Sequence, residues 1–322
     1  MKLHRRQFLY LTAGGAIIPA IARADDYPSR PVRIIAGFPP GGVNDAYGRL
    51  MAGWLSDHLG QQFIVENRAG AGGTLADEYV ANADGDGYTL LVSTSADAWN
   101  ATLYTDLKYD FIRDFAPVGT MARSSGVLVV NPSVPAKSVA ELIADAKRNP
   151  GKITMASAGV GSAPHMYWEL FRSMTGVEMV HVPYRGGGPA VADLLGGQVM
   201  AYFGTTASSM PHVKSGRLRP LGVTSAVRLP EFPDIPAVAE TVPGYEAGIF
   251  VGLAAPRRTS AAIVNKLNEA LKLAPTDPNI RQRIADIGDT PLPLSPAEFV
   301  KVVAAETEKW GKVIREGHIK AE

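Results

Sequence analysis

The sequence predicts an α/β protein arranged as two lobes with a cleft between them. Short apolar runs alternate with segments of helical period, the alternation restarts midway, and the last third is helical without strands of its own. In the first block, residues 32–37 read as a buried strand. Residues 45–59 then carry Tyr47, Leu50, Met51, Trp54, Leu55 and Leu59 near helical spacing. Residues 63–66 form a second strand, the turn at Gly70-Ala71-Gly72-Gly73 leads into a helix through Ala81, and residues 88–93 form a third strand. This strand–helix–strand order predicts a mainly parallel sheet with helices on both faces.

The second block opens with a strand at 127–130, closed by Asn131-Pro132. Ser138 caps a helix to Arg148, with Glu141 three residues on as its capping-box partner. Strand 153–156, helix 163–175, strand 178–182, helix 189–195, strand 199–203, helix 208–215 and strand 219–224 follow. Residues 230–243 are proline-dense and read as a surface loop. A strand-like run at 248–255 precedes helices near 259–273, 277–287 and 296–316. The extended stretches near 116–130 and 247–256 are the candidate crossings between lobes. Lobe 1 is then discontinuous, residues 25–123 plus 248–322, and lobe 2 spans 124–247.

The N-terminus reads differently. Lys2, Arg5 and Arg6 precede a modestly apolar run at 8–21, and Ala22-Arg23-Ala24 forms a small-x-small site before Asp25. That is the layout of an export signal cleaved after Ala24, and the run is too short to span a bilayer. Arg5-Arg6-Gln7-Phe8-Leu9 resembles a bacterial twin-arginine signal. An amphipathic first helix is the alternative.

Composition narrows the function classes. Removing the four cations Lys2, Arg5, Arg6 and Arg23 takes the formal charge from +1 to −3, which argues against nucleic acid as a partner. There is no cysteine, so disulfides and thiolate metal sites are excluded. The six histidines include no His-x-x-x-His pair, so a zinc hydrolase has no support. A nucleophile elbow needs Gly-x-Ser-x-Gly, and Met155-Ala156-Ser157-Ala158-Gly159 fails at its first position. No dinucleotide fingerprint follows the first strand, and there is no Walker Gly-Lys-Ser/Thr.

What remains is a set of strand-end loops suited to an anion. Gly37-Phe38-Pro39-Pro40-Gly41-Gly42-Val43-Asn44-Asp45 joins the first strand to the first helix. Prolines stiffen it, glycines let backbone N–H groups approach a ligand, and the helix N-terminus adds partial positive charge. The same residues are also compatible with a simple chain turn. In the second block Ser157-Ala158-Gly159-Val160-Gly161-Ser162-Ala163-Pro164-His165 has the same placement. Its Ser162 is either a ligand donor or an N-cap, and its His165 either a contact or a packed residue. Tyr184, in Val182-Pro183-Tyr184-Arg185-Gly186, either reaches the cleft or packs its lobe, and Ser93-Thr94-Ser95 offers another polar strand end. Two anion-friendly helix starts in different lobes suggest a clamp on a carboxylate.

The chain resembles the substrate-binding proteins of tripartite tricarboxylate transporters, the Bug family. The resemblance is carried by Tyr27-Pro28 with Pro31-Val32-Arg33, Phe38-Pro39-Pro40-Gly41-Gly42 with Asp45, and Val65-Glu66-Asn67-Arg68 with Gly70-Ala71-Gly72-Gly73. Further along it rests on Asp84-Gly85, Gly87-Tyr88-Thr89-Leu90, Leu103-Tyr104, Tyr109-Asp110, Gly161-Ser162 with His165, Val182-Pro183-Tyr184-Arg185-Gly186 and Asp193-Leu194-Leu195-Gly196-Gly197-Gln198. It implies a type II periplasmic-binding-protein fold, two α/β lobes around a ligand cleft, and delivery of a small organic carboxylate to a two-component membrane permease. It further implies that Phe38, Gly41, Gly42, Asp45, Ser157, Gly161, Ser162 and His165 grip the ligand carboxylate, partly through water.

Family members commonly carry an Asp after the strand that ends here in Phe203, where this chain has Gly204 and Thr205. A pocket with one anionic group fewer and more volume is the expectation, disfavouring an amino acid as ligand. Trp99 has two readings, stacking on an aromatic acid or buried packing. The candidate ligand set is Phe38, Pro39, Gly41, Gly42, Val43, Asp45, Thr94, Ser95, Ser157, Gly161, Ser162, His165, Tyr184, Gly204 and Thr205. No catalytic residue, metal or cofactor is expected, and the protein is expected to act as a periplasmic monomer. Two rivals use the same pocket: a sensor presenting its liganded form to a receptor kinase, and a serine-dependent α/β hydrolase.

Overall fold

Residues 27–321 are described by the computed structural model, so the expected export signal at 1–24 lies outside them. β1 (Val32–Ala36) leads into α1 (Val43–Leu59), β2 (Phe63–Asn67), α2 (Thr74–Ala81) and β3 (Thr89–Thr94), and the three strands pair in parallel. α3 (Ser95–Leu103) leaves β3 with no intervening loop. It is a helix the periodicity does not predict, because no Gly or Pro marks the change from strand. Its start is fixed by a capping box instead: Thr94 accepts from Ala96 N at 3.3 Å, and Asp97 accepts from Thr94 N at 3.0 Å. A short α4 (Phe111–Asp114), capped by Asp110, turns the chain into β4 (Phe115–Val130).

The second half adds α5 (Val139–Arg148), β5 (Thr154–Ser157), α6 (Ala163–Thr175), β6 (Val180–Pro183), α7 (Gly187–Leu195), β7 (Ala201–Thr205), α8 (Thr206–Lys214) and β8 (Arg219–Val223). The chain returns through β9 (Gly248–Pro256), α9 (Ala261–Leu273), α10 (Pro278–Ile287), the two-residue β10 (Thr290–Pro291) and α11 (Pro296–Glu316).

Strand order is β2-β1-β3-β9-β4-β7-β5-β6, with β8 and β10 also on β4. The sheets are therefore mixed: pairing is parallel among β1, β2 and β3 and among β5, β6 and β7, but β9 runs antiparallel to both β3 and β4. The sequence pattern reads the parallel strand–helix units correctly. It misses the antiparallel return, which depends on pairing between residues more than a hundred positions apart. β4 belongs to both halves. Its residues 115–125 pair with β9, and residues 126–130 pair with β7 and β8. Thr224 knits the point of change: its Oγ1 accepts from Gly126 N and donates to Ala247 O, each at 2.7 Å.

Two further features tie the C-terminal segment to this frame. Trp99 and Trp310 are both fully buried and meet edge to face at 5.3 Å, seating α11 on α3. Burying side chains of that size contributes on the order of 2–3 kcal/mol each. Asp289, between α10 and β10, is also buried. It accepts from Tyr47 Oη at 2.7 Å, from Thr206 Oγ1 at 2.5 Å and from Ser125 N at 3.3 Å. One carboxyl group thus joins α1, the crossing in β4 and the first residue of α8.

Candidate functional site

Five helix N-termini converge on one cavity between the two halves. Gly42, Val43 and Asn44 come from the start of α1, Thr94 and Ala96 from α3, and Ser162, Ala163 and Pro164 from α6. Gly187 comes from α7, and Thr205 and Ser208 from α8; Phe38, Ala158, Tyr202 and Ile249 complete the wall. Among the described residues no charged side chain lines this space. Each helix start presents N–H groups without intrahelical partners and a partial positive charge, so the lining favours an anion through its backbone. The five differ in one respect. Thr94 and Thr205 cap α3 and α8 with their hydroxyls, whereas α1, α6 and α7 have no side-chain cap. The uncapped starts come from both halves.

The loops are built to hold those starts. Asn67 Nδ2 donates to Phe38 O at 2.9 Å, and Gly41, at φ +87°, donates its N–H to Asp45 Oδ2 at 3.2 Å. Asp45 also pairs with Arg49 at 2.9 Å. Burial opposes its ionisation, but hydrogen bonds from Arg49 and Gly41 outweigh that and hold the carboxyl below its usual value. Asp45 therefore braces the loop from behind. In the second loop Ser162 Oγ donates to Gly159 O at 2.6 Å, and Ser157 Oγ accepts from Gly159 N at 3.1 Å and lies 2.6 Å from His181 Nε2. His165 Nδ1 accepts from Gly161 N at 3.3 Å, and its ring stacks on His181 at 4.5 Å. Burial, with the neighbouring His181 and Arg172 charges, lowers His165 to about 3, and burial lowers His181 to about 4. Both rings are neutral at neutral pH; His165 accepts from a backbone N–H, and His181 packs on it and meets the Ser157 hydroxyl.

Of the fifteen candidate residues, Phe38, Gly42, Val43, Thr94, Ser162 and Thr205 line the cavity. Gly41, Asp45, Ser157, Gly161 and His165 form the layer behind it, bonded to one another as described. Ser95 Oγ accepts from Phe250 N at 3.2 Å and is spent on β9. Pro39 and Tyr184 border a second, outer chamber of about 360 Å³, and Tyr184 Oη donates to Asp193 at 2.7 Å. Gly204 adds no volume: a Cβ there would meet Ser209 Oγ and the Tyr202 ring, which lies over it. Trp99 donates Nε1–H to Gly161 O at 2.7 Å and takes the packing role. Asn44, Ala96, Tyr202, Ser208 and Ile249 were not legible as lining. Of these, Asn44 at the second position of α1 carried a signal, being next to the Gly41-Gly42 turn.

The halves touch around the cavity, so this is a closed arrangement. Trp99 reaches Gly161 across the cleft, Gly186 packs on Pro39, and Gly72 lies close to Val160 O. Two mixed α/β lobes sharing crossing strands, closed over a site built from helix N-termini, define a bilobal periplasmic-type binding protein. The sequence profile of the tripartite tricarboxylate transporter family receptors (TctC) matches residues 48–319, and the chain belongs to that family. The chain is 38% identical to Protein BugT of Bordetella pertussis over 308 residues, 95% of this chain and 94% of that one. Among solved structures it is similar to R. palustris Rpa4515 with adipate, at TM-score 0.89 and 37% identity, covering 92% of this chain and 99% of that one. It is also similar to MatC of Rhodopseudomonas palustris with bound malate, at TM-score 0.85 and 31% identity, covering 89% and 100%. The family consists of solute-binding receptors, and the chain is a receptor and not an enzyme.

Proposed function

We propose that this receptor captures a small organic carboxylate between its lobes in the periplasm and hands it to a two-component membrane permease. The observation that carries the reading is the convergence of five helix N-termini from both lobes on a cavity without a charged side chain. The ligand carboxylate accepts hydrogen bonds from the first-turn N–H groups of α1, α6 and α7, the three helices without side-chain caps. Because α1 and the pair α6 and α7 lie in different lobes, the anion itself supplies the bond that favours closure. Adipate and malate, named with two of the similar structures, are carboxylates of this kind. We assign the lobes to residues 25–123 plus 248–322 and to 124–247, moving about the β4 and β9 crossings. The protein acts as a monomer after export through a signal cleaved behind Ala24.

A thermal-shift screen on mature protein, unfolded and refolded to strip retained ligand, tests this reading. The panel holds dicarboxylates, tricarboxylates, aromatic acids, acidic amino acids and their neutral amides. At about 100-fold excess over the dissociation constant, binding to the native state adds roughly 2.7 kcal/mol, a rise of several degrees. Stabilisation by one class of acids and not by its amides is the expected result. Stabilisation by amides alone would contradict it.

A further inference from the structure

One indole reaches from the first lobe to the loop that starts α6. Trp99 and Leu103, four residues apart on α3, share a helix face with Asn100 beside them, and that face meets Gly161. Gly161 stands at φ +76°, and a Cβ on it would lie 2.9 Å from Leu103 Cδ2. Without one, α3 approaches closely enough for Trp99 Nε1 to donate to Gly161 O at 2.7 Å. Asn100 Oδ1, buried in the same seam, accepts no hydrogen bond. Among the described residues the Trp99 bond is the one hydrogen bond between α3 and residues 157–162.

The two ends of this bond are held by different lobes. The Trp99 ring is fully buried and seated edge to face on Trp310 of α11, so it moves with the first lobe. The acceptor belongs to a loop otherwise tied to the second lobe. Gly159 N donates to Ser157 Oγ, Ser162 Oγ to Gly159 O, Gly161 N to His165 Nδ1 and Tyr184 N to Ser157 O. That loop orients the uncapped start of α6, where Ser162, Ala163 and Pro164 line the cavity. Trp99 itself does not line it. Two other indole bonds stay inside the first lobe, Trp54 Nε1 to Ala270 O and Trp310 Nε1 to Glu306 Oε2, each at 2.7 Å. Moving the lobes apart breaks the Trp99 bond and leaves those two intact.

We infer that Trp99 is a positioning residue for capture. Its indole N–H holds the loop before α6 in its ligand-facing orientation only when the lobes are shut, and so prolongs the life of the closed complex without touching the ligand. The inference rests on the proposed lobes and their closure over an acid, and adds a tie that holds them shut besides the ligand. A neutral hydrogen bond of this kind is worth about tenfold in an equilibrium constant. Because it forms after encounter, its loss acts on dissociation and not on association.

Stopped-flow titration of refolded mature protein with two acids of the proposed class, adipate and malate, separates the two rates. Trp99→Phe keeps an aromatic ring against Trp310 and removes the donor. It is expected to raise the dissociation rate about tenfold and to leave the association rate within about threefold. Trp310→Phe, which alters the same packing but not the donor, is expected to lower the melting temperature and leave dissociation within about threefold. Unchanged dissociation in Trp99→Phe, or an equal rise in both variants, would overturn the inference. Hydrogen exchange of the indole N–H groups needs no acid. In the ligand-free protein the Trp99 signal, assigned by its loss in Trp99→Phe, is expected to exchange about tenfold or more faster than those of Trp54 and Trp310. Exchange as slow as theirs would show that the bond does not depend on closure, and would overturn the inference as well. If neither acid binds, it is the carboxylate reading that fails, and the exchange comparison still decides the role of Trp99.

Discussion

Gly161→Val is expected to weaken ligand capture by about tenfold to a hundredfold while leaving most of the fold's stability. Gly161 sits at φ +76°, where a β-branched residue is strained by about 1–2 kcal/mol in any lobe arrangement. The larger effect lies across the cleft. A Cβ at this position would stand 2.9 Å from Leu103 Cδ2, 3.3 Å from Asn100 Oδ1 and 3.4 Å from Tyr104 Oη, all on the opposite lobe. The Trp99 hydrogen bond to Gly161 O spans the same gap. These clashes exist only when the lobes are shut, so the substitution penalises closure rather than folding. Overpacking of this kind costs roughly 1–3 kcal/mol. Because the backbone strain is common to the open and closed forms, this closed-state penalty alone sets the loss of affinity, about tenfold to a hundredfold. Calorimetry reads the affinity, and X-ray scattering reads the larger radius of a protein held open. Near-normal affinity in this variant would show that the closed contacts around Gly161 do not belong to the liganded state.

Asp289 gives the second large effect, on stability. Replacing it with alanine strands the donors of Tyr47, Thr206 and Ser125, and at pH 5 this is expected to destabilise the fold by about 2–4 kcal/mol. Asparagine keeps an acceptor and separates geometry from charge. Burial raises the Asp289 carboxyl to about 6, against hydrogen bonds from Thr206 and Tyr47 that lower it. Its folded value lies above its unfolded value, so the native state binds the proton more tightly between the two. The stability linked to that proton is fully present below pH ~4 and is lost as pH rises through about 6. The difference from the ordinary 3.8 corresponds to roughly 3 kcal/mol. Asp289→Asn is therefore expected to gain on the unmodified protein by about that amount between pH 4 and pH 8 in urea unfolding. His165 and His181 act with the opposite sign, since their lowered values cost stability as pH falls below 6.5. They are common to both proteins and cancel in the comparison. Parallel pH profiles would mean that Asp289 keeps its charge across the range.

Much of the site was legible in the sequence because its signals are local. Pro39, Gly41 and Gly42, and Gly159, Gly161 and Ser162, mark strand-to-helix turns by their own conformational preferences, and α1 and α6 begin where those residues place them. The roles of individual side chains were less legible. Asp45, Ser157 and His165 have ligand-like chemistry, yet Asp45 and His165 accept from the backbone of Gly41 and Gly161 in their own loops and Ser157 meets His181 on β6, partners that single-residue chemistry does not reveal. Tyr202 reaches the cavity because Gly204 two residues on leaves room for its ring, a relation that exists only once β7 forms. The start of α3 was hidden because Thr94 and Asp97 make a capping box without turn residues. Asp289 carries no local signal in the sequence beyond the Gly288 before it. Its burial depends on contacts with Tyr47 and Thr206, far away in the chain.

The most direct measurement is a paired calorimetric titration of the refolded mature protein, using the best-stabilising acid from the screen and its primary amide. If helix N-termini from both lobes capture the anion, the acid binds stoichiometrically at one site and the amide about a hundredfold or more weaker. Equal affinity for acid and amide would contradict the account, because the lining offers the charge no other reason to matter.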